Sequence, residues 1–591
     1  MEAVNKENKE NVYGSNLVNP TALRPVAFHV FTRKYDLNIN RDSLQELAAY
    51  VSKRCGSHWR SQCEPLLDEI AKTWKRTHDS EPIVTKPLLS SLLTNLTVPH
   101  EARTSSFSRT PTIDSTNSLL RSSSTQVRDT LREDDYFRVI DSFQLPKRIY
   151  DPNRKIFISS KTTPSLLAPA SASVDMLHRR FHVIYSRILR NENFQNPSFS
   201  GSFSQTNSHQ ITPIRNLLGR SGDDFLLFGL LSLAPDGKLW LEDLDSQVQL
   251  DISKATFGFG HFCAGCFVLV NGHFMDSGVF LVTEVGHPPI ERREASLKAL
   301  SQVDSFGSQL DANQITLLRH AEQAYKAPFV FLSEVHLDDT RCLQALEKVF
   351  QKYEYAELLP ACIVLCGSFT STAFHNSGSS LDYKEGFNKL ALIFAKFTNI
   401  SKNCKIIFVP GPNDPWTTYG LSLMPKRAIP LHFVNRIQRI CKNAIFSSNP
   451  CRISFFSQEI VIYREDITGR FQRHDLKACN DSSQSAQSDT LPLEEQQLYQ
   501  NRKLVKTILD QSHLSPFHPR TRPVLWDFDY TLSTFPLPNC LAIVDSQVPA
   551  FNVHYGGCLT LNPGSLILGL HYNWQELHPV TKQVVSFQER L

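Results

Sequence analysis

Three stretches of this chain share one design, an unbroken apolar run that stops at a short polar tip: Phe329-Val-Phe-Leu-Ser-Glu-Val-His336, Cys362-Ile-Val-Leu-Cys-Gly-Ser-Phe-Thr-Ser371 and Ile406-Ile-Phe-Val-Pro-Gly-Pro-Asn-Asp414. Continuous apolar runs bounded by turns fit strands buried on both faces, as in parallel sheets, whose carboxyl ends carry the sites of open α/β folds. Between them, Leu343, Leu346 and Phe350, and then Leu390, Ile393, Phe394 and Phe397, recur at helical spacing. Strand, helix, strand, helix, strand is the building unit of an α/β domain, and it brings the three polar tips to one edge.

The rest of the chain reads as a series of units. After a lead over 1–20, residues 21–98 carry helical stripes (Phe28, Phe31, Tyr35; Leu44, Leu47, Ala48, Val51; Leu66, Ile70, Trp74) and a fourth helix around Leu88 to Leu96. Ser43-Leu-Gln-Glu46 has the spacing of a capping box, and the stripes are assigned to a mutual core. Residues 99–134, rich in Ser, Thr and Arg, read as a linker. Residues 135–208 form the first part of an α/β unit, with extended stretches at 137–140 and 155–158. A helix follows from about Asp175 to Leu189, whose Arg179, Arg180, Arg187 and Arg190 read as a solvated basic face, since no aromatic platform is interleaved with them. Over 209–290, five short apolar strands separated by turn signals fit a small Greek-key barrel of the OB type. Residues 291–591 make the main α/β unit, with later strands at 453–456, 459–463, 524–526, 541–544 and 558–561 and an exposed insertion at about 474–497.

Composition excludes several classes. With 62 basic and 58 acidic residues, the formal charge of +4 gives no strong footprint for phosphate backbones. No apolar run reaches the roughly 18 residues of a membrane span, and the first residues lack a secretory core, so the expectation is a soluble intracellular protein with no membrane partner. The 13 cysteines, mostly in apolar strands, read as reduced core residues. Cys263 and Cys266, with His261 and His273 nearby, have no second pair at zinc spacing and are assigned to packing.

The order of the strand tips resembles the calcineurin-like metallophosphoesterases, which place Asp and His ligands at successive strand ends around two metal ions. Two dications about 4 Å apart repel by roughly 17 kcal/mol at an effective dielectric of 20, so such a centre needs a bridging carboxylate and several imidazoles. Here Glu334 stands for the first Asp and His336 is kept. Ser368 takes the place of the bridging Asp, and Pro412 and Asn413 take those of a ligand Asn and the acid His. His513 matches the lone His; Asp545 and Gln547 stand where two histidines belong. The resemblance therefore implies a phosphoesterase sandwich without its dinuclear centre: no catalytic residue, no metal, no cofactor, not an enzyme. A single-metal remnant on Glu334, His336, His513 and Asp545, with residual phosphoesterase activity, is the alternative.

A barrel joined to an inactivated phosphoesterase unit resembles the B subunits of the eukaryotic replicative DNA polymerases. The phrases Leu241-Glu-Asp-Leu-Asp-Ser-Gln-Val-Gln-Leu-Asp-Ile-Ser-Lys254, Phe408-Val-Pro-Gly-Pro-Asn-Asp-Pro415, Ser448-Asn-Pro-Cys-Arg-Ile453 and Val505-Lys-Thr-Ile-Leu-Asp-Gln-Ser-His-Leu514 point to the epsilon branch of that family. The fold expected is multidomain, α/β plus all-β: a small amino-terminal helical domain, an OB-type barrel and a calcineurin-like phosphoesterase α/β sandwich. The resemblance implies a non-catalytic, nuclear accessory subunit in DNA replication. Its implied partners are the carboxyl-terminal zinc-binding region of the polymerase epsilon catalytic subunit, GINS and the replicative helicase through the helical domain, and the small histone-fold subunits; a DNA contact of the barrel stays open. One stretch argues otherwise. Val524-Leu-Trp-Asp-Phe-Asp-Tyr-Thr-Leu532 matches the Asp-x-Asp-x-Thr signature of haloacid-dehalogenase-like phosphatases, with Asp527 as nucleophile and Asp529 as acid/base. Too little chain follows it for the rest of that site, so both are assigned as ordinary polar loop residues.

Overall fold

The computed structural model describes residues 20–35, 37–55, 59–77, 83–86, 88–89, 93, and then 136–160, 162–194, 210–300, 312–374, 379–418, 421–476 and 492–591. The lead (save residue 20), the linker over 99–134 and the centre of the 474–497 insertion lie outside the described residues. The insertion ends sooner than expected, because Leu493 already opens a helix that runs to Asp510. The chain divides into two compact units, Met1–Ser115 and Thr116–Leu591.

The first unit is helical, with a core of Leu23, Phe31, Leu47, Val51, Ile70 and Trp74 among others. Two local expectations are corrected. Phe28 is 53% exposed, because Phe28–Lys34 winds as a π-helix, and Val30 is buried in its place beside the expected Phe31 and Tyr35. Ser43 is no helix cap: the helix starts at Arg41, Leu44 N donates to Asn40 O, and the buried Ser43 hydroxyl donates to Val84 O at 2.7 Å. Glu46 instead pairs with Lys86 at 3.0 Å.

In the second unit two sheets pack face to face. One runs, in order of pairing, 444–446, 405–409, 362–366, 329–332, 571–578, with 567–568 and 583–590 both paired to the last. Its first four strands are parallel, the 329–332, 362–366 and 405–409 strands among them. The other runs 551–555, 558–562, 540–544, 458–464, 451–455, 137–141. Alternation sets the layers. Phe329 and Phe331 point between the sheets with Val364, Ile407, Ile453, Ile462 and Val544. Val330 and Leu332 point outward beneath helices Thr340–Glu354, Ser379–Lys396 and Leu431–Ile440. The outer face of the second sheet (Val461, Tyr463, Leu541, Ile543) is covered by helix Leu493–Asp510 and joins one continuous core with the barrel.

The barrel strands pair in the order 267–274, 224–233, 239–242, 247–251, 279–286, 256–257, and 267–274 closes on 279–286. Strands 247–251 and 256–257 both pair with 279–286 in parallel while the other ladders are antiparallel, and the five-stranded closed set fits the OB arrangement. Its first hairpin turns at Pro235-Asp236-Gly237, where Gly237 takes φ +81°, a left-handed conformation that a side chain would strain, and donates to Ala234 O. The architecture is the expected multidomain one: helical domain, OB barrel and α/β sandwich.

Three expectations in this unit are corrected. Residues 524–526 are not a strand: Val524 makes one bridge to Met424, and Trp526–Leu532 then coils as a 3-10 helix, since Pro523 removes a ladder donor just before it. The helix Ser171–Arg190, read as part of the phosphoesterase-like unit, stacks Phe181 and Tyr185 on barrel residues Phe228 and Phe267. Its basic face is not simply solvated either. Arg180 and Arg187 are 8% and 2% exposed, because each meets a buried acceptor set across the fold.

Candidate functional site

The strand tips do converge. Glu334, just past Phe329–Leu332, sits at φ +53°, a conformation costing a non-glycine residue roughly 1–3 kcal/mol unless its contacts hold it. Its Oε1 accepts the Ser368 amide at 3.1 Å and an Nη2 of Arg464; its Oε2 lies 2.9 Å from His336 Nε2. Ser368 Oγ accepts the Asn413 amide at 3.2 Å, and Asn413 Nδ2 donates to Thr370 O and Ser371 O, each at 3.2 Å. Gly367 and Gly411 meet back to back: a Cβ on Gly367 would strike Asp414 Oδ2, and one on Gly411 would strike the Ser368 amide.

The centre of this cluster is Arg464, 1% exposed, which sequence reasoning missed. It ends the Gln458–Arg464 strand of the second sheet and ties tips from both sheets together. Its Nε donates to Gly367 O at 2.7 Å, Nη1 to Asp466 Oδ1 at 2.9 Å and to Val544 O at 3.2 Å, and Nη2 to Glu334. A second internal cation, Lys426, donates its Nζ to Gly411 O at 2.6 Å, Pro412 O at 3.2 Å and Asp414 O at 2.8 Å. The fully buried Asp414 carboxylate accepts the amides of Phe369 (2.9 Å) and Gly411 (2.6 Å) and the Tyr383 hydroxyl (3.0 Å). Burial pushes Lys426 down to about 8, against the pull of Asp414 and Glu465. The signal that could have found Arg464 is an Arg-Glu-Asp run directly at the end of a buried strand.

The remaining predicted positions lie elsewhere or serve the backbone. Asp545 Oδ2 accepts the amides of Ile467 (3.0 Å) and Thr468 (2.8 Å), and its Oδ1 that of Gln547 (2.8 Å), whose side chain is exposed. His513 faces a different partner: its Nδ1 accepts the Ser515 amide at 3.0 Å and its Nε2 lies 3.2 Å from Asp529. Glu334, His336, His513 and Asp545 are thus not brought together as the single-metal alternative requires. Among the described residues no three His, Cys, Asp or Glu side chains form a metal-holding group. Cys263 and Cys266 are buried thiols; burial raises both, Cys266 to about 12, and His261 pairs with Asp475 at 2.7 Å.

Asp529 is corrected from a loop residue to the hub of a buried ion cluster. It is 3% exposed; Arg180 Nε donates to its Oδ2 at 3.1 Å and an Arg180 Nη2 to its Oδ1. Burial works to raise its carboxyl, but Arg180 and then His513 hold it well below the usual range. Asp527, on the same 3-10 helix, accepts Lys147 Nζ at 3.2 Å and the Ser165 amide at 3.1 Å. Both aspartates sit on a 3-10 turn, each already paired with a cation of its own.

The strand-tip ion network makes an acid-range prediction. Burial works to raise the Glu334 carboxyl, but Arg464 and His336 outweigh it and hold it down to about 2. Because that is below its unfolded value of 4.5, the stabilisation is present above pH 4.5 and is lost as pH falls through about 2, a span worth about 3 kcal/mol. In urea titrations across that window, Glu334→Gln should be less stable than the wild type at pH 6, and the gap should close toward pH 2. A gap constant with pH would show that the carboxylate's charge does not contribute.

The unit is thus a two-sheet α/β sandwich with an OB barrel joined to its outer face and strand tips bound by internal guanidinium and ammonium groups, and comparison with known proteins places this architecture among the polymerase B subunits. The family model for the B subunits of DNA polymerases alpha and epsilon matches residues 329–553, and that for the OB-fold domain of DNA polymerase epsilon subunit 2-like proteins matches 170–289, which includes the Ser171–Arg190 helix. The chain is 66% identical to the DNA polymerase epsilon B subunit of Schizosaccharomyces pombe over 97% of each chain. It is 33% identical to the Saccharomyces cerevisiae protein of that name (96% and 98% covered) and 30% identical to that of Arabidopsis thaliana (89% and 92%). The chain belongs to the family of DNA polymerase epsilon B subunits.

Proposed function

We propose that this chain is the non-catalytic accessory subunit of a nuclear DNA polymerase epsilon complex. In this reading its sandwich and barrel hold the carboxyl-terminal zinc-binding region of the catalytic subunit. Its amino-terminal helical unit links the polymerase to the replicative helicase through GINS, and the small histone-fold subunits complete the complex. The observation that carries the reading is the match, over nearly the whole chain, to proteins named as B subunits of DNA polymerase epsilon. The strand tips support its non-catalytic half. Glu334, His336, Ser368, Pro412, Asn413, Asp545 and Gln547 are read as a degenerate phosphoesterase site, His513 having moved to another cluster, and Arg464 with Lys426 supplies the positive charge that two metal ions would otherwise bring.

The test is metal content and phosphodiester hydrolysis of the purified full chain after incubation with Mn²⁺. The expected outcome is no stoichiometric metal dependent on Glu334 and no turnover of bis(p-nitrophenyl) phosphate. Turnover abolished by His336→Ala would sink the non-catalytic reading.

A further inference from the structure

The stretch 386–458 holds ten lysines and arginines but a single carboxylate, the fully buried Asp414, in a chain whose charges otherwise nearly balance. The near-neutral total hides this asymmetry, and the fold turns it outward. Of the ten, Lys426 and Arg452 are internal, Lys396 pairs with Glu347 at 2.7 Å, and Lys405 lies over the Phe137 ring. Lys389, Lys402, Arg427, Arg436, Arg439 and Lys442 are exposed, and none of the six forms an ion pair among the described residues.

The helix Leu431–Ile440 sets these cations in line. Its Phe433, Val434 and Ile437 are buried, which leaves His432, Arg436 and Arg439, at i, i+4 and i+7, on one outer face. Before it, Trp416, 53% exposed, donates its Nε1 to Ala428 O at 3.0 Å and stands with its ring centre 5.9 Å from the Arg427 guanidinium. After it, the Asn443 side chain donates to Lys402 O at 2.8 Å, which brings Lys402 up to Lys442. A ten-residue helix spans about 15 Å, so the strip runs from an exposed indole past a row of cations over roughly that length. Carboxylates on the surrounding elements are engaged or matched. Asp141 and Asp527, beyond Arg427, hold the Phe143 amide and Lys147, and Asp338 holds Ser371. Glu354 holds the amides of Asn399 and Ile400, and Asp382 and Glu385, early in the neighbouring helix Ser379–Lys396, share it with Lys384 and Lys389.

Protein interfaces are depleted in lysine and gather aromatic anchors at a charge-poor core, whereas this strip bears lysines and is poor in carboxylates. Phosphate backbones are met by such rows of Lys and Arg, and an exposed ring beside them gives a base of a single strand something to stack on. We propose that this face, on the sandwich and not on the barrel, binds the phosphate backbone of single-stranded nucleic acid without reading its sequence, with one base against Trp416. The inference goes beyond the accessory-subunit reading and does not depend on it.

The test is fluorescence anisotropy of a labelled oligothymidine of about 20 nucleotides titrated with the full chain. Binding is expected with Kd of about 1–10 µM at about 50 mM salt, and weaker by more than about tenfold at about 200 mM, since each phosphate contact releases counterions. Arg436→Gln with Arg439→Gln alters only exposed side chains and should weaken binding about tenfold, as should Trp416→Ala through the lost stack. Arg215→Gln with Lys238→Gln, exposed cations of the barrel, should leave the affinity unchanged. No binding at about 50 mM salt, unchanged affinity in the arginine pair or in Trp416→Ala, or a loss in the barrel pair would each overturn the assignment. Polyglutamate of the same length binding as tightly would overturn it in favour of an acidic protein segment.

Discussion

Replacing Arg464 by alanine is expected to destabilise the Thr116–Leu591 unit by about 3–5 kcal/mol, the cost of leaving buried charge without its partner. The substitution strips Glu334 and Asp466 of their shared guanidinium, leaves the carbonyl of Gly367 without its side-chain donor, and leaves Val544 O with the Glu465 amide alone. In Arg464→Ala the Glu334 carboxyl should rise, because burial would then be opposed only by His336 and the Ser368 amide. The matched variant Arg464→Met with Glu334→Gln removes both charges and should recover a good part of the loss, as buried ion pairs often do when replaced together. Urea midpoints of the three proteins decide it. Equal midpoints for wild type and Arg464→Ala would show that the guanidinium does not organise the tips.

The second large effect falls on Asp529. Changing it to asparagine leaves Arg180 and His513 buried around a neutral amide and is expected to cost about 3–5 kcal/mol. A haloacid-dehalogenase-like phosphatase would respond differently: there Asp529→Asn removes turnover and leaves the melting curve nearly unchanged. Asp527→Asn separates the readings further. Asp527 is a partly shielded acceptor for Lys147 and the Ser165 amide, and its loss should cost only about 1 kcal/mol.

Why some of this was legible in the sequence and some not has a physical basis. Strands buried on both faces announce themselves as unbroken apolar runs, so Phe329–Leu332, Cys362–Cys366 and Lys405–Val409 were visible with their tips. The barrel was visible as several apolar runs in close succession, cut by turns such as Pro235-Asp236-Gly237. Buried ions were not visible. Arg180, Arg187 and Arg190 look like a solvated helical face until the long-range partners Asp529, Ser512 and Glu291 are known, and those lie 349, 325 and 101 residues away. Arg464 was missed for the same reason, since Glu334, Gly367 and Val544 come from three strand tips distant in sequence. Ser43 and Phe28 show the limit of local rules: a tertiary acceptor at Val84 O and one π-helical turn each overrode a regular spacing.

Assembly tests the central claim most directly. The full chain should be coexpressed with the polymerase epsilon catalytic subunit, purified through a tag on this chain at moderate salt, and weighed by native mass spectrometry. The account predicts a one-to-one complex that retains polymerase activity and is lost when the catalytic subunit's carboxyl-terminal zinc-binding region is deleted. A chain that emerges alone, folded and monomeric beside an intact catalytic subunit, would contradict it.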